Sequence, residues 1–546
     1  MKWKRIPTTL LTTGFVAFLG LASAGAAVGD KSAPAAKSGE VDFPISCSPS
    51  AQQKFNQAVW VLHSFWYEEA VKAFTAVTEV EPDCAMGYWG IAMSHWYPLW
   101  YPPNAASLKA GSAAVEKAVA AKQKSDRESD YIAAIAAFYR DNDKVDHRTR
   151  AVAYEKAMEQ VHLRYPDDRE GGVFYSLALV ATAPPTDKTY ANQKKAREIL
   201  EMVRAEQPNH PGVAHYLIHA NDSAEMAEDG LTAALCYAEI APAVPHALHM
   251  PSHIFTRLGM WRQSVDANRA ATAAGLAYVR EELGPDAFNG EAVHSMDYME
   301  YAYLQMGQDR DAKRVVDELL TFRRANVPNL PMAYAIAAMP ARYAVERRNW
   351  AEAAALTAPP MAFPWERFPW AEAMISFTRA LGAAHTGDTA AAEAEIAKLQ
   401  SLKQKLDQAK DDYWAKQVEV QRLAASGILA HAKGDDKQAV ELVRAAADLD
   451  ATMDKHPATP AEVVPARELL ADLLLELNDP AAALKEYEQT VRAERNRFRS
   501  ILGIARAAKG TGDTAKAREA YGKLVTLASA DTDRPELAEA RAFLAN

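Results

Sequence analysis

The chain has 546 residues, 29 Pro, 25 Gly and a formal charge of −10, which makes it too long for one ordinary core and too uniform for several unrelated domains. Ala, Leu, Glu, Lys and Arg recur throughout and long strand-like runs of Val, Ile and Thr are missing, a composition that favours helix nearly everywhere. The acidic balance and the lack of a basic stripe argue against a nucleic-acid partner.

The first segment is a processing signal. Met1-Lys2-Trp3-Lys4-Arg5 is basic, Leu10 to Ala22 is apolar, and Ala22-Ser23-Ala24 and Ala24-Gly25-Ala26 both offer Ala-x-Ala cleavage sites. The apolar stretch is shorter than the roughly 18 residues a retained anchor needs. The pattern predicts a signal peptide over 1–26, a flexible Ala/Gly/Ser/Lys-rich leader over 27–46, and a periplasmic or secreted product without a membrane anchor. Of the three cysteines, Cys47 and Cys84 flank the first predicted helix pair and are expected to be bridged. Cys236 lies inside a helical pattern and reads as a small apolar residue.

Beyond Cys47 the sequence repeats itself. Ala70-x-x-x-Phe74 followed by Pro82, and Ala196-x-x-x-Leu200 followed by Pro208, match the second-helix phrase of a tetratricopeptide unit. Gly259, Gly307, Gly387 and Gly512 mark turns between later helices. Trp350-Ala351-Glu352-Ala353 and Ala482-Ala483-Leu484 open further second helices. One such unit cannot bury its apolar face alone, so the units stack. The expected fold is an all-α solenoid of tetratricopeptide-like helix pairs. Its N-terminal and central part spans 47–355 and carries a His-rich groove; C-terminal repeats fill 356–546. Pro-rich connections such as Ala358-Pro359-Pro360 and His456-Pro457-Ala458-Thr459-Pro460 are read as irregular insertions.

Positions 2, 5 and 9 of the first helix in such a unit face the concave side. Counting back from Gly259 puts His246, His249 and His253 there. Gly307 places His294, Asp297 and Tyr301, and Pro242 places His215 and His219. His215/His219 and His249/His253 are four residues apart, a spacing that aims two imidazoles along one helix face. Imidazoles from neighbouring helices, with Asp297, suit a divalent transition metal, zinc or copper. His215-Tyr216-Leu217-Ile218-His219 has the two-His spacing of a zinc peptidase, but Tyr216 replaces the general-base Glu. Trp89, Tyr216 and Tyr301 are the aromatic candidates for contacting a ligand; Trp100 is a further one at the groove mouth. The competing reading of every one of these residues is packing: histidines stack on aromatics and cap helices, and Trp89 suits a solenoid core.

The phrases His210-Pro211-Gly212-Val213-Ala214-His215 and Pro245-His246-Ala247-Leu248-His249-Met250-Pro251-Ser252-His253, with Leu62-His63-Ser64-Phe65 and Cys84-Ala85-Met86-Gly87-Tyr88-Trp89, resemble a family of bacterial exported tetratricopeptide-repeat proteins. The resemblance runs from Cys47 onward. It implies the helical-repeat fold, export in the Gram-negative manner and weight on the His-rich phrases, and it supplies no activity. The functional expectation is a binding protein that holds a peptide or protein partner, together with a transition metal, in the concave groove. The alternatives are a metal-dependent hydrolase whose base is Asp297, Glu300 or a spare histidine, and a purely structural scaffold.

Overall fold

Helix pairs follow one another along the chain. The structure, a computed structural model, describes residues 39–99, 102–184, 186–528, 532 and 534–546. Pro49–His63 pairs with Tyr67–Val80, Ala85–Ser94 with Ala105–Ala120, and the succession continues to Phe498–Gly510 with Thr514–Leu527 and a last helix, Pro535–Ala545. The two-residue strands Ala287–Phe288 and Arg324–Ala325 pair in parallel beside the helices. The fold is an all-α stack of helix pairs, an architecture that offers extended surfaces to protein partners.

The repeat phrases act through packing. In Tyr67–Val80 the buried residues are Ala70, Phe74 and Val77, at helical spacing. Gly90 of the next helix presses so closely on them that a Cβ there would lie 2.1 Å from the Phe74 ring. Later units end their first helix on a left-handed glycine, among them Gly259 and Gly307 at φ 66°, where a side chain costs about 1–2 kcal/mol. The first unit instead places Phe65 (φ 55°) after its first helix, and that ring is buried.

Cys47 and Cys84 are joined by a disulfide with a Cα–Cα distance of 5.7 Å, tying the start of the first helix pair to the start of the second. Such a bridge suits an oxidising compartment. Among the described residues no helix is long and apolar enough to cross a membrane. The expected signal peptide, most of the leader and Trp100 lie outside the described residues. The leader's last part departs from expectation: Val41 and Phe43 are buried, with the Phe43 ring 5.1 Å from Tyr131, 5.5 Å from Phe55 and 5.7 Å from Trp89. Burying a phenylalanine stabilises by about 2 kcal/mol, enough to hold a short segment against the core.

The described residues form one compact unit that runs across the boundary expected at 355/356. C-terminal residues reach back to the middle of the chain. The Trp261 indole N–H donates to the Asn496 carbonyl at 3.0 Å, and the Phe498 N–H donates to Gln305 Oε1 at 2.9 Å. Arg497, fully buried, pairs with Glu468 at 2.7 Å and with Glu346. The Pro-rich connection 455–461 also turns inward: Ala458, Thr459 and Ala461 are buried, and Arg342 Nη2 donates to the Ala461 carbonyl at 3.0 Å.

Candidate metal centre

Three consecutive first helices carry the histidines, and each starts on a residue suited to it. His210 caps Pro211–Ala220 by accepting the Val213 N–H, and Pro211 takes the first position, where the missing N–H costs nothing. Pro245–His249 runs on through Met250 into Pro251–Leu258. Asn289 caps Gly290–Gln305 through the Ala292 N–H at 3.0 Å. These caps fix where each helix begins, and therefore which residues turn toward the neighbouring helix.

Two histidine triads result. His215 Nε2 lies 3.1 Å from His219 Nε2 and 3.2 Å from His246 Nε2. His249 Nε2 lies 2.9 Å from His253 Nε2, and the His294 ring centre is 4.3 Å from that of His249. Within each triad the candidate ligand atoms all fall within 4.8 Å of one another. The triads adjoin: ring centres are 6.1 Å apart for His219–His253 and 6.3 Å for His246–His249. All six side chains are buried, His219 being the most exposed at 7 %.

Hydrogen bonds behind the rings decide where the protons sit. The His63 carbonyl can only accept, so His215 Nδ1–H donates to it at 2.6 Å. His246 Nδ1 faces the Glu291 carboxylate at 3.0 Å and His253 Nδ1 faces Asp222 at 2.9 Å. His249 Nδ1 faces Asn268 Oδ1 at 2.6 Å, and the amide cannot be reversed without losing the bond from its Nδ2 to the Ser264 carbonyl at 2.7 Å. A neutral imidazole whose Nδ1 carries the proton presents a bare lone pair at Nε2. His215 and His246 thus point lone pairs at each other, as do His249 and His253. Burial pushes His215, His219, His249 and His294 well below the usual imidazole range, with neighbouring imidazoles adding to it, and burial lowers His253 despite Asp222. Protonation is therefore a poor way to relieve the repulsion. A metal ion relieves it directly: tetrahedral bonds of about 2.0–2.1 Å put ligand nitrogens about 3.3 Å apart, close to the spacings seen. Among the described residues neither ring nitrogen of His294 has a hydrogen-bond partner, which leaves both available to an ion.

A third cluster contrasts with these. Glu170 accepts from His63 Nε2 at 3.0 Å and His210 Nε2 at 2.9 Å, while His63 Nδ1 accepts the Tyr216 hydroxyl at 2.9 Å and His210 Nδ1 accepts the Val213 N–H. Burial alone would raise the Glu170 pKa, yet the two imidazoles hold it well below the carboxylate range. Every ring nitrogen here is satisfied by protein, so this cluster is structural. It fixes His63, whose carbonyl orients His215.

The centre is closed over. The Phe65 ring lies 4.3 Å from His215 and 5.7 Å from both His219 and His246. Tyr298 lies 4.9 Å from His249 and 5.0 Å from His253, and its hydroxyl donates to the Thr459 carbonyl at 2.9 Å. Lys455 donates to the same carbonyl at 2.7 Å. Residues 455–461 thus pack against Tyr298 and Arg342 beside the second triad.

Several expected site residues do other work. Asp297 is bound by Arg342 Nη1 at 2.6 Å, which also reaches Glu300 at 3.1 Å, all three side chains being fully buried. Asp297 and Glu300 thus each give one oxygen to Arg342, while Asp297 Oδ2 and Glu300 Oε1 have no hydrogen-bond partner among the described residues. Trp89 is core, its ring 5.3 Å from Phe174 and 5.8 Å from Tyr131. Tyr216 spends its hydroxyl on His63. Tyr301 is buried and donates to Glu494 at 3.0 Å. The residues missed are those behind the rings: Asp222, Glu291, Asn268, His63 and Phe65. His63 and Phe65 do fall in one of the family-like phrases.

No family model matches the chain, and no curated protein matches it. A search of solved structures returns the crystal structure of yeast Tom70 at 10 % identity, covering 90 % of this chain and 95 % of that one, with a TM-score of 0.27. That likeness is too loose to carry an argument.

Gly212 links the structural cluster to the first triad. A Cβ there would lie 2.5 Å from His63 Nδ1, on a ring pinned by two hydrogen bonds. Alanine gains about 1 kcal/mol of helix propensity, but a clash against a fixed ring costs about 1–3 kcal/mol, so the clash wins. Gly212→Ala is expected to lower stability by up to about 2 kcal/mol and to weaken metal binding at His215 and His219. Denaturant melts and metal titration check both.

Proposed function

We propose that this is an exported helical-repeat protein whose six inward histidines hold transition-metal ions, one in each triad. The observation that supports this most is the pair of facing Nε2 lone pairs, His215 to His246 and His249 to His253, each held in place by an acceptor on Nδ1. Rings that merely lined a core would turn a nitrogen toward a donor, as His63 does with Tyr216. The disulfide supports an oxidising compartment, as the N-terminal processing pattern expects. Each triad offers three protein ligands and leaves a position open, the arrangement of sites that bind a further small ligand. A protein partner is part of the reading on the strength of the repeat fold, but it would dock away from the centre, where residues 455–461 already lie.

Elemental analysis of tag-free protein, never exposed to a nickel column, tests the proposal. Two equivalents of metal per chain, removed by chelator and restored on reloading, are expected. His215→Ala should leave one. Less than a tenth of an equivalent after reloading with zinc, copper, nickel or cobalt would overturn it.

A further inference from the structure

We infer that the two triads form a single dinuclear copper centre that binds dioxygen between its ions. This rests on the metal reading above and goes beyond it in naming the metal and the ligand.

Four observations converge. First, the donor set is six imidazoles, with no carboxylate or thiolate among the inward-facing atoms: Asp222 and Glu291 sit behind rings, Asp297 and Glu300 are held by Arg342, and Cys47 is bridged to Cys84. At an all-nitrogen site Cu(II) outcompetes the other divalent first-row ions, and three neutral imidazoles also suit Cu(I). Second, the triads share a boundary, with rings of opposite triads 6.1 and 6.3 Å apart, which sets the two candidate ion sites side by side. Third, Phe65, Tyr298 and residues 455–461 pack around the buried rings, so a ligand reaching the ions there must be small. Fourth, Asp297 and Glu300 each give one oxygen to Arg342, and neither belongs to either triad's set of converging ligand atoms. A pair of ions walled in by neutral rings is better suited to electron transfer to a small neutral molecule.

The chemistry balances without a further reactant. Each Cu(I) gives one electron. Dioxygen takes both, its double bond becomes a single bond, and Cu–O bonds form at each ion. No proton is consumed, and the product is two Cu(II) bridged by peroxide. Release of dioxygen returns both electrons.

Full-length metal-free protein is loaded anaerobically with two equivalents of Cu(I) and then exposed to dioxygen. The expected result is two coppers retained, one dioxygen taken up per two coppers, a new near-ultraviolet charge-transfer band, and an electron paramagnetic resonance signal below a tenth of that for two isolated Cu(II). Two retained coppers with a full signal and no uptake overturn this inference and leave the metal reading standing. So do two retained zincs with no copper affinity. Retention of neither metal overturns both. His219→Ala is expected to keep one copper and lose all uptake. Uptake undiminished in a folded His219→Ala protein, with folding checked by circular dichroism, would also overturn the inference.

Discussion

Replacing Arg497 with methionine is expected to cost about 3–5 kcal/mol of stability, the penalty for removing one member of a buried ion pair. Arg497 is fully buried between Glu468 and Glu346, with Nη2 3.0 Å from Glu468 Oε1 and a further bond from Nη1 to the Tyr301 hydroxyl at 3.3 Å. Burial would drive Glu468 toward its neutral form, and Arg497 holds its pKa below the usual value instead. Without the guanidinium, two carboxylates are left with little countercharge; Arg348, 3.7 Å from Glu468, is the nearest remaining cation. Arg497→Lys should recover only part of the loss, since an ammonium cannot span both carboxylates as the planar fork does. Because these partners come from Leu330–Glu346 and Ala466–Glu476, the change also loosens the C-terminal pairs from the middle of the chain. Equilibrium denaturation measures it; a loss under 1 kcal/mol would show that the network is not holding the two regions together.

This network marks the limit of what the sequence shows. The helix pairs were legible because their signals are local: Ala70, Phe74 and Gly90 meet across one turn, and Gly259 and Gly307 end their helices by backbone conformation alone. The same counting placed six histidines on the inner helices, and their convergence follows from it. Asp297 shares a face with His294, three residues before it, and local register could not tell that Arg342, on another helix, takes the carboxylate. Nor could it tell that residues 455–461, rich in Pro and read as an irregular insertion, turn inward. These contacts depend on how the stack meets itself, and helical periodicity does not encode that. Phe43 failed for a related reason: a lone aromatic in a small, polar segment carries no periodic signal, yet the pocket formed by Phe55, Trp89 and Tyr131 is waiting for it.

Asp222 lies where the metal centre and the covering segment meet, so Asp222→Asn should be felt in both. Its Oδ2 accepts His253 Nδ1–H at 2.9 Å, its Oδ1 accepts Arg257 Nε at 2.8 Å, and Lys455 Nζ stands 3.8 Å away. Burial would raise its pKa, but Lys455, Arg257 and His253 together hold it well below the ordinary value. A depressed carboxylate contributes stability that is fully present above its unfolded pKa, about 3.9, and is lost only as pH falls through the lower folded value, so at neutral pH the whole contribution is at stake. Asparagine keeps the shape and removes the charge, leaving Arg257 without its partner at a cost of about 3 kcal/mol. Lys455, already lowered to about 8 by burial and by Arg257, escapes part of the penalty by losing its proton. At the metal the effect is tautomeric. If the amide turns its N–H2 toward His253, the ring must carry its proton on Nε2, where the ion needs a lone pair. If it turns its oxygen there, the bond to Arg257 is lost and the acceptor is weaker. Affinity at the second triad should fall about 10–100-fold, the usual cost of removing the partner behind a ligating histidine, while the first triad, oriented by His63 and Glu291, keeps its ion. Stepwise metal titration separates the two sites, and unchanged affinity at both would mean that His253 is not a ligand.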